Sequence, residues 1–189
     1  MRILILGPQG SGKGTQARRI AERHGIPHIA TGDILRTAIA EGGELGRRVE
    51  PILERGDLVP DDLMVDLIRE RIAGESGFVL DGFPRTVPQA EALDTMLDEV
   101  GKPLDAVLLL EVSDETALSR LLERGTEGGR PDDAPDAIRN RLRLYHGLTK
   151  PVVERYRERG TLVEVDGERS IDEVSSAIEV ALGEVGVRR

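Results

Sequence analysis

The sequence predicts an α/β protein built on a five-stranded parallel sheet with helices on both of its faces. Apolar runs alternate with longer helical patterns along the chain, and this alternation is typical of parallel sheets. Val107–Leu110 is apolar throughout, as expected of a strand that is buried on both faces. Ile3–Leu6 is a second such run, and a glycine-rich stretch follows it at once. The length of 189 residues suits one compact domain of this class.

Each element is placed by its local pattern. Short apolar runs predict strands at 2–6, 27–30, 77–80, 105–112 and 161–165. The intervals carry helical patterns at 13–24, 31–42, 44–55, 61–73, 87–99, 114–124, 135–159 and 170–183. In the long helix at 135–159, Pro135 suits the first turn and Pro151 should produce a kink.

Two segments interrupt the alternation and suggest how the domain is divided. Residues 31–60 form a helical insert in which Gly42, Gly43 and Gly56 act as breaks. Residues 125–133 are polar and glycine-rich between two helices. We therefore expect one domain with a core at 1–30, 61–124 and 134–189.

Composition excludes several classes of protein. The chain has no cysteine, so neither disulfides nor a cysteine-based zinc site can form, and no zinc is expected. A net charge of −9 argues against binding to nucleic acid, which favours a basic face. The first apolar run is too short for a signal peptide or a membrane span. We expect a cytoplasmic protein that does not bind membranes.

The stretch after the first strand has the form of a phosphate-binding loop. It reads GPQGSGKGT at 7–15, and its glycines allow successive backbone N–H groups to surround an anion. Lys13 can reach the outer phosphates, and the following helix directs its positive end at the same point. This loop makes the predicted sheet one of the P-loop NTPase type. In the general motif Ser or Thr directly follows Lys and binds Mg²⁺, whereas Gly14 follows here.

A carboxylate for the metal is predicted at the end of another strand. Phe78–Asp81 is an apolar run that ends in an acid, and ligands of such sheets bind at the carboxyl ends of the strands. Asp81 is therefore well placed to hold a water molecule bound to Mg²⁺.

The motifs, taken in order, resemble those of adenylate kinases. The strings are GPQGSGKGTQ, ATGDILR, GDLVPD, FVLDGFPRT, GRPDD and RNRLRLY, and they cover essentially the whole chain. The chain is similar to the short-lid form, because the long lid insertion with its zinc-binding cysteines is absent. It departs from the family pattern at Gln9, where Pro is frequent, and at Ala30, where Ser is usual.

The resemblance implies a reversible, Mg²⁺-dependent transfer from ATP to AMP that gives two ADP and serves adenine nucleotide homeostasis. It also implies a monomer with an AMP-binding insert at 31–60 and a lid at 125–133. The ATP site would consist of Gly10, Ser11, Gly12, Lys13, Gly14, Thr15, Arg120, Arg124 and, through its backbone carbonyl, Arg169. The AMP site would consist of Thr31, Arg36, the backbone of Asp57, Leu58 and Val59, then Gly82, Phe83, Pro84, Arg85, Gln89, Arg130 and Arg141. The catalytic groups would be Lys13, Asp81, Arg85, Arg124, Arg130 and Arg141.

These residue types suit the chemistry independently of the family. The attacking AMP phosphate has a second pKa of about 6, so it is already ionised and needs no general base. The three histidines, His24, His28 and His146, are therefore interpreted as structural or solvated. The obstacle is repulsion between two polyanions, which arginines and Mg²⁺ can offset. Arg120 could instead pair with acids on its own helix.

Gln89 is the main indication that the acceptor base is adenine. Its amide carries both a donor and an acceptor, which matches the adenine edge formed by N1 and the 6-amino group. Two alternatives stay open at this point. One is a kinase for another nucleoside monophosphate, and the other is a nucleotide-binding regulator without turnover.

Overall fold

A five-stranded parallel sheet forms the centre of the molecule. The computed structural model describes residues 1–126 and 134–187. Within these ranges the strand order is β2-β3-β1-β4-β5, and every neighbouring pair is parallel. The strands are β1 Arg2–Leu6, β2 His28–Ala30, β3 Phe78–Asp81, β4 Ala106–Glu111 and β5 Leu162–Asp166. The predicted fold class is therefore confirmed.

Helices connect the strands and cover both faces of the sheet. They are α1 Lys13–His24, α2 Thr31–Glu41, α3 Glu44–Glu54, α4 Asp61–Ile72, α5 Val87–Glu99, α6 Asp114–Thr126, α7 Pro135–Leu144, α8 Lys150–Glu158 and α9 Ile171–Val187. Most bounds differ from the predicted ones by only a few residues. The predicted lid falls largely on residues 127–133, which lie outside the described ranges.

The apolar strands divide their side chains between two cores. In β1, Leu4 and Leu6 belong to one buried cluster, whereas Ile3 and Ile5 belong to the other. Side chains of a strand alternate between the two faces of a sheet, so a continuous apolar run supplies both cores at once. All four side chains are at most 4% exposed, which anchors the loop that follows β1.

The region predicted as a long helix at 135–159 contains an irregular turn just before Pro151. The chain forms α7, a π-helical turn at Tyr145–Thr149, and then α8. Pro151 has no N–H for the carbonyl four residues earlier, and its ring would clash there in a regular helix. The turn widens instead, so that the Lys150 N–H donates to the Tyr145 carbonyl, five residues back. Pro151 consequently lies in the first turn of α8.

The sheet order brings two predicted functional segments together. β1 lies between β3 and β4, and Ile5 pairs with Asp81. The loop after β1 and the acid that ends β3 therefore meet at the carboxyl edge of the sheet, where ligands of such sheets bind. Among the described helices, none has the length and apolar character needed to cross a membrane.

Candidate active site

A large cleft opens along the carboxyl edge of the sheet. Its volume is about 720 Å³. Every predicted site residue that the structure describes lines it, namely Gly10, Ser11, Gly12, Lys13, Gly14, Thr15, Thr31, Arg36, Asp57, Leu58, Val59, Asp81, Gly82, Phe83, Pro84, Arg85, Gln89, Arg120, Arg124, Arg141 and Arg169. Arg130 lies outside the described residues. Segments up to 159 residues apart in sequence thus contribute to one site.

The glycine-rich loop wraps tightly at one end of the cleft. Gly10 and Gly12 have φ angles of +83° and +90°, the left-handed region that only glycine adopts without strain. The Lys13 ammonium donates to the Pro8 carbonyl at 2.6 Å, across the loop. Lys13 is also the first residue of α1, so the positive end of that helix points into the same loop. This geometry is suited to binding the phosphates of a nucleotide.

Asp81 faces this loop from the end of β3. Burial tends to raise the pKa of Asp81, but the neighbouring His28 side chain and the Lys13 ammonium outweigh that effect, and the pKa is lowered from its usual value. The carboxyl group is therefore ionised at neutral pH. A Cβ at Gly14 would lie 3.5 Å from Asp81 Oδ2, so the carboxylate faces the position where the general motif has its hydroxyl.

His28 belongs to the surroundings of this carboxylate. Its Nε2 lies 3.7 Å from Asp81 Oδ2, an ion-pair distance that is too long for a hydrogen bond. The His28 side chain is 15% exposed. The sequence did not indicate this contact, because β2 and β3 are far apart in the chain and their register could not be predicted.

Arginines of α6 and α7 border the loop. Arg120 donates to the carbonyls of Gly10 and Gly167, at 3.5 Å and 3.1 Å, rather than to acids of its own helix. Arg124 follows one turn later on α6 and lines the same cleft. Arg141, on α7, is only 7% exposed, and its Nη1 donates to Gln9 Oε1 at 2.8 Å. Gln9, noted above as a departure from the family pattern, thus holds an arginine at the phosphate loop.

The segment after β3 supplies the other end of the cleft. The Arg85 guanidinium donates from Nε to the Gly82 carbonyl at 2.7 Å. The Thr149 hydroxyl donates to the Arg85 carbonyl at 3.0 Å. A Cβ at Gly82, whose φ is +86°, would lie 2.5 Å from Thr31 Oγ1, so glycine is required there. Thr149, in the π-helical turn, was not predicted, because nothing in its local sequence indicates a contact with Arg85.

Gln89 is buried between this segment and α4. It is 2% exposed, and its Oε1 accepts the Arg85 backbone N–H at 2.7 Å. Its Nε2 donates to Asp61 Oδ1 at 2.7 Å. Arg85, which precedes α5, and Gln89, in the first turn of that helix, are therefore in direct contact. Asp61 was not predicted, because its only local signal is an acid at the start of a helix.

The remaining predicted acceptor-side residues lie between α3 and α7. The Asp57 carboxylate accepts from Arg55 Nε at 2.8 Å and from Asn140 Nδ2 at 2.8 Å. The hydrogen bond from Arg55, together with that from Asn140, lowers the pKa of Asp57. The Asp57 side chain is therefore held by hydrogen bonds within the protein, and residues 57–59 line the cleft. On the same side, Arg36 forms an ion pair with Asp33 at 2.5 Å.

Comparison with known proteins identifies the family. A family model described as "Adenylate kinase" matches residues 5–161. The chain belongs to the adenylate kinase family. It is 47% identical to an adenylate kinase of Stenotrophomonas maltophilia over 185 residues, which cover 96% of this chain and 99% of that protein. It is 48% identical to an adenylate kinase of Parvibaculum lavamentivorans over 189 residues, which cover 97% and 92% of the two chains. An adenylate kinase of Xanthomonas euvesicatoria is 47% identical, with 97% and 100% covered. The resemblance read from the motifs is thereby confirmed.

Proposed function

We propose that this member of the adenylate kinase family transfers the terminal phosphoryl group of ATP to AMP, reversibly, to give two ADP. ATP would occupy the end of the cleft at the glycine-rich loop, and AMP the end lined by Thr31, Arg36 and Arg85. The observation that carries this proposal is the convergence of the phosphate loop and the buried Gln89 amide on one cleft.

The chemistry depends on charge and position. The AMP phosphate is the nucleophile, and its second pKa of about 6 leaves it ionised without help from a base. Lys13, Arg85, Arg124 and Arg141 line the cleft, where their charges would offset the repulsion between the two nucleotides. Arg130 is proposed to join them from the lid. A lid that closes over the cleft would exclude water, so that the phosphoryl group reaches AMP and not solvent.

Mg²⁺ is proposed as the metal that accompanies ATP. An ionised carboxylate beside the phosphate loop is a fitting partner for a Mg²⁺-bound water, because Mg²⁺ retains several waters and few protein ligands. Asp81 meets both conditions. The described residues contain no cluster of three or more acids or histidines suited to holding a metal by themselves. When bound, the ion would neutralise charge on the transferring phosphates.

The first experiment is ³¹P NMR of the purified protein with MgATP and, in turn, AMP, GMP, CMP and UMP. We expect rapid formation of ADP with AMP alone. Faster turnover with UMP or CMP would retain the scaffold and overturn the acceptor. Tight ATP binding without transfer to any acceptor would indicate a regulator instead of an enzyme.

Lys13→Met tests the phosphate loop in the same assay. We expect kcat to fall by roughly 100-fold or more, because a charge aimed at the transferred group is lost. Lys102→Met is the matched control, since Lys102 is exposed and does not line the cleft. A near-normal rate for Lys13→Met would refute the assignment of this loop.

We further propose that the enzyme is a monomer that acts in the cytoplasm, where its nucleotide substrates are found. The cleft is lined by residues of one chain, so two substrates can be accommodated without a second copy. Light scattering of the purified protein tests the monomer, and fractionation of cells that express it tests the compartment.

A further inference from the structure

Asp61 accepts hydrogen bonds from two side chains, those of Gln89 and Thr86. It is the first residue of α4, where a negative charge is favourable near the positive end of the helix. Its Oδ1 accepts from Gln89 Nε2 at 2.7 Å, and its Oδ2 accepts from Thr86 Oγ1 at 3.0 Å. Thr86 in turn caps α5 by accepting the Gln89 backbone N–H at 3.3 Å. Both oxygens of the carboxylate are therefore engaged by the segment that carries Gln89.

The Gln89 amide has one orientation because both of its neighbours allow only one role. A backbone N–H can only donate, so the Arg85 N–H requires the amide oxygen. An ionised carboxylate can only accept, so Asp61 requires the amide nitrogen. Rotating the amide by half a turn would place oxygen against oxygen and N–H against N–H. Burial of Gln89 at 2% exposure makes that arrangement costly, since little water can reach the unpaired groups.

The fixed amide retains one hydrogen-bond donor and one acceptor that no group among the described residues uses. Its nitrogen has a second N–H and its oxygen a second lone pair, and Gln89 lines the cleft. Adenine offers an acceptor at N1 and a donor at its 6-amino group. A 6-oxopurine such as hypoxanthine offers a donor at N1–H and an acceptor at O6, which is the reverse order. A freely rotating amide could match either base, whereas a fixed amide can match only one.

We propose that Asp61 is a positioning residue that makes the acceptor site select 6-aminopurines over 6-oxopurines, by fixing the direction of the Gln89 amide. This inference rests on the proposed AMP site. It assigns to Asp61 no contact with the nucleotide and no part in the transfer itself.

The test compares two acceptors, AMP and IMP, with MgATP as the donor. Asp61→Ala removes one of the two groups that fix the amide. We expect kcat/KM for AMP to fall by about tenfold, and the preference for AMP over IMP to fall by at least about fivefold. Asp61→Asn can present either an oxygen or an N–H to Gln89, so it also relaxes the constraint, and its preference should fall by less than that of Asp61→Ala. Asp62→Ala, which removes an exposed acid from the same first turn, should leave the preference unchanged.

The ratio of kcat/KM for AMP to kcat/KM for IMP distinguishes a residue that positions Gln89 from one that only stabilises the fold. A structural role would reduce the active fraction and affect both acceptors equally, and this outcome would overturn the inference. An unchanged ratio in Asp61→Ala would also overturn it, while the proposed function would survive because the wild type still uses AMP. A wild type that prefers a pyrimidine monophosphate would instead refute the proposed function, and the inference with it. If Asp61→Ala does not fold, an unchanged preference in Asp61→Asn would overturn the proposal by itself.

Discussion

The glycine-rich loop contains a pair of positions that separate backbone strain from steric contact. Gly10 and Gly12 both have φ angles in the left-handed region, +83° and +90°. A Cβ at Gly12 would meet nothing within 4 Å, whereas a Cβ at Gly10 would lie 2.4 Å from the Ala117 carbonyl oxygen. Of these two glycines, only Gly10 packs against the backbone of α6. Replacing each glycine by alanine isolates the cost of that contact.

The expected magnitudes follow from the geometry. Alanine in a left-handed conformation costs about 1–2 kcal/mol, and Gly12→Ala should lose about that much unfolding free energy. Gly10→Ala bears the same strain and must also move the backbone of α6 by about 1 Å to restore ordinary contact, which adds about 1–3 kcal/mol. The obstacle is the backbone of a helix and not the end of a flexible side chain, so it cannot rotate away.

Equilibrium unfolding in urea measures both variants directly. We expect Gly10→Ala to lose at least about 1 kcal/mol more than Gly12→Ala, with similar m-values in the two. Equal losses would refute the reasoning, because they would mean that the loop separates from α6 without cost. In that case, a crystal structure of Gly10→Ala would show Ala117 in its wild-type position and the loop moved away from it.

Three further predictions concern the base, the metal site and the fold. Gln89→Leu should weaken AMP binding by about 1–3 kcal/mol with little change for ATP, as measured by calorimetry; the opposite pattern would mean that the bases were assigned to the wrong ends of the cleft. Because the pKa of Asp81 is lowered, its ionised form stabilises the fold above its usual pKa of 3.8, and this contribution is lost as the pH falls through the lowered value. The wild type should therefore lose more unfolding free energy than Asp81→Asn between about pH 6 and pH 3, and equal losses would contradict this. Asp94, 13% exposed, accepts from Arg159 Nη1 at 2.6 Å, so Asp94→Asn should cost about 1–3 kcal/mol in thermal or urea unfolding at unchanged kcat. Glu91→Gln, at an exposed pair, is its control and should cost under about 1 kcal/mol; a similar cost for both would refute the special role of the half-buried Asp94 carboxylate.

Features encoded by neighbouring residues could be predicted from the sequence. The phosphate loop needs glycines, a lysine and a preceding strand within 15 residues, and all of them are contiguous. The strand that ends in Asp81 could be predicted for the same reason, because its apolar run and its acid are also contiguous. Arg85 and Gln89 could be named as site residues because they lie in, or shortly after, the contiguous string FVLDGFPRT. These predictions required no knowledge of the tertiary structure.

Features that depend on contacts between distant segments could not be predicted. The contact of His28 with Asp81 depends on the register of β2 against β3, and the hydrogen bond from Gln89 to Asp61 depends on how α4 packs against α5. Pro151 predicted a kink in the long helix, but the π-helical turn before it depends on how the chain accommodates the missing N–H. The sequence therefore predicted which residues serve the site better than it predicted how they are held.

The π-helical turn at Tyr145–Thr149 takes up one residue more than a turn of α-helix, because its hydrogen bond spans five residues instead of four. Arg141 reaches Gln9 from one side of the turn, and the Thr149 hydroxyl reaches the Arg85 carbonyl from the other. Each residue of an α-helix rotates the chain by about 100°, so a residue gained or lost inside α7 or α8 would turn the later side chains of that helix away from their contacts. A residue lost in the π-helical turn, together with replacement of Pro151, would instead leave a regular helix whose flanking side chains keep their directions. Single-residue gaps in related chains should therefore fall in this turn and not in the helices on either side of it.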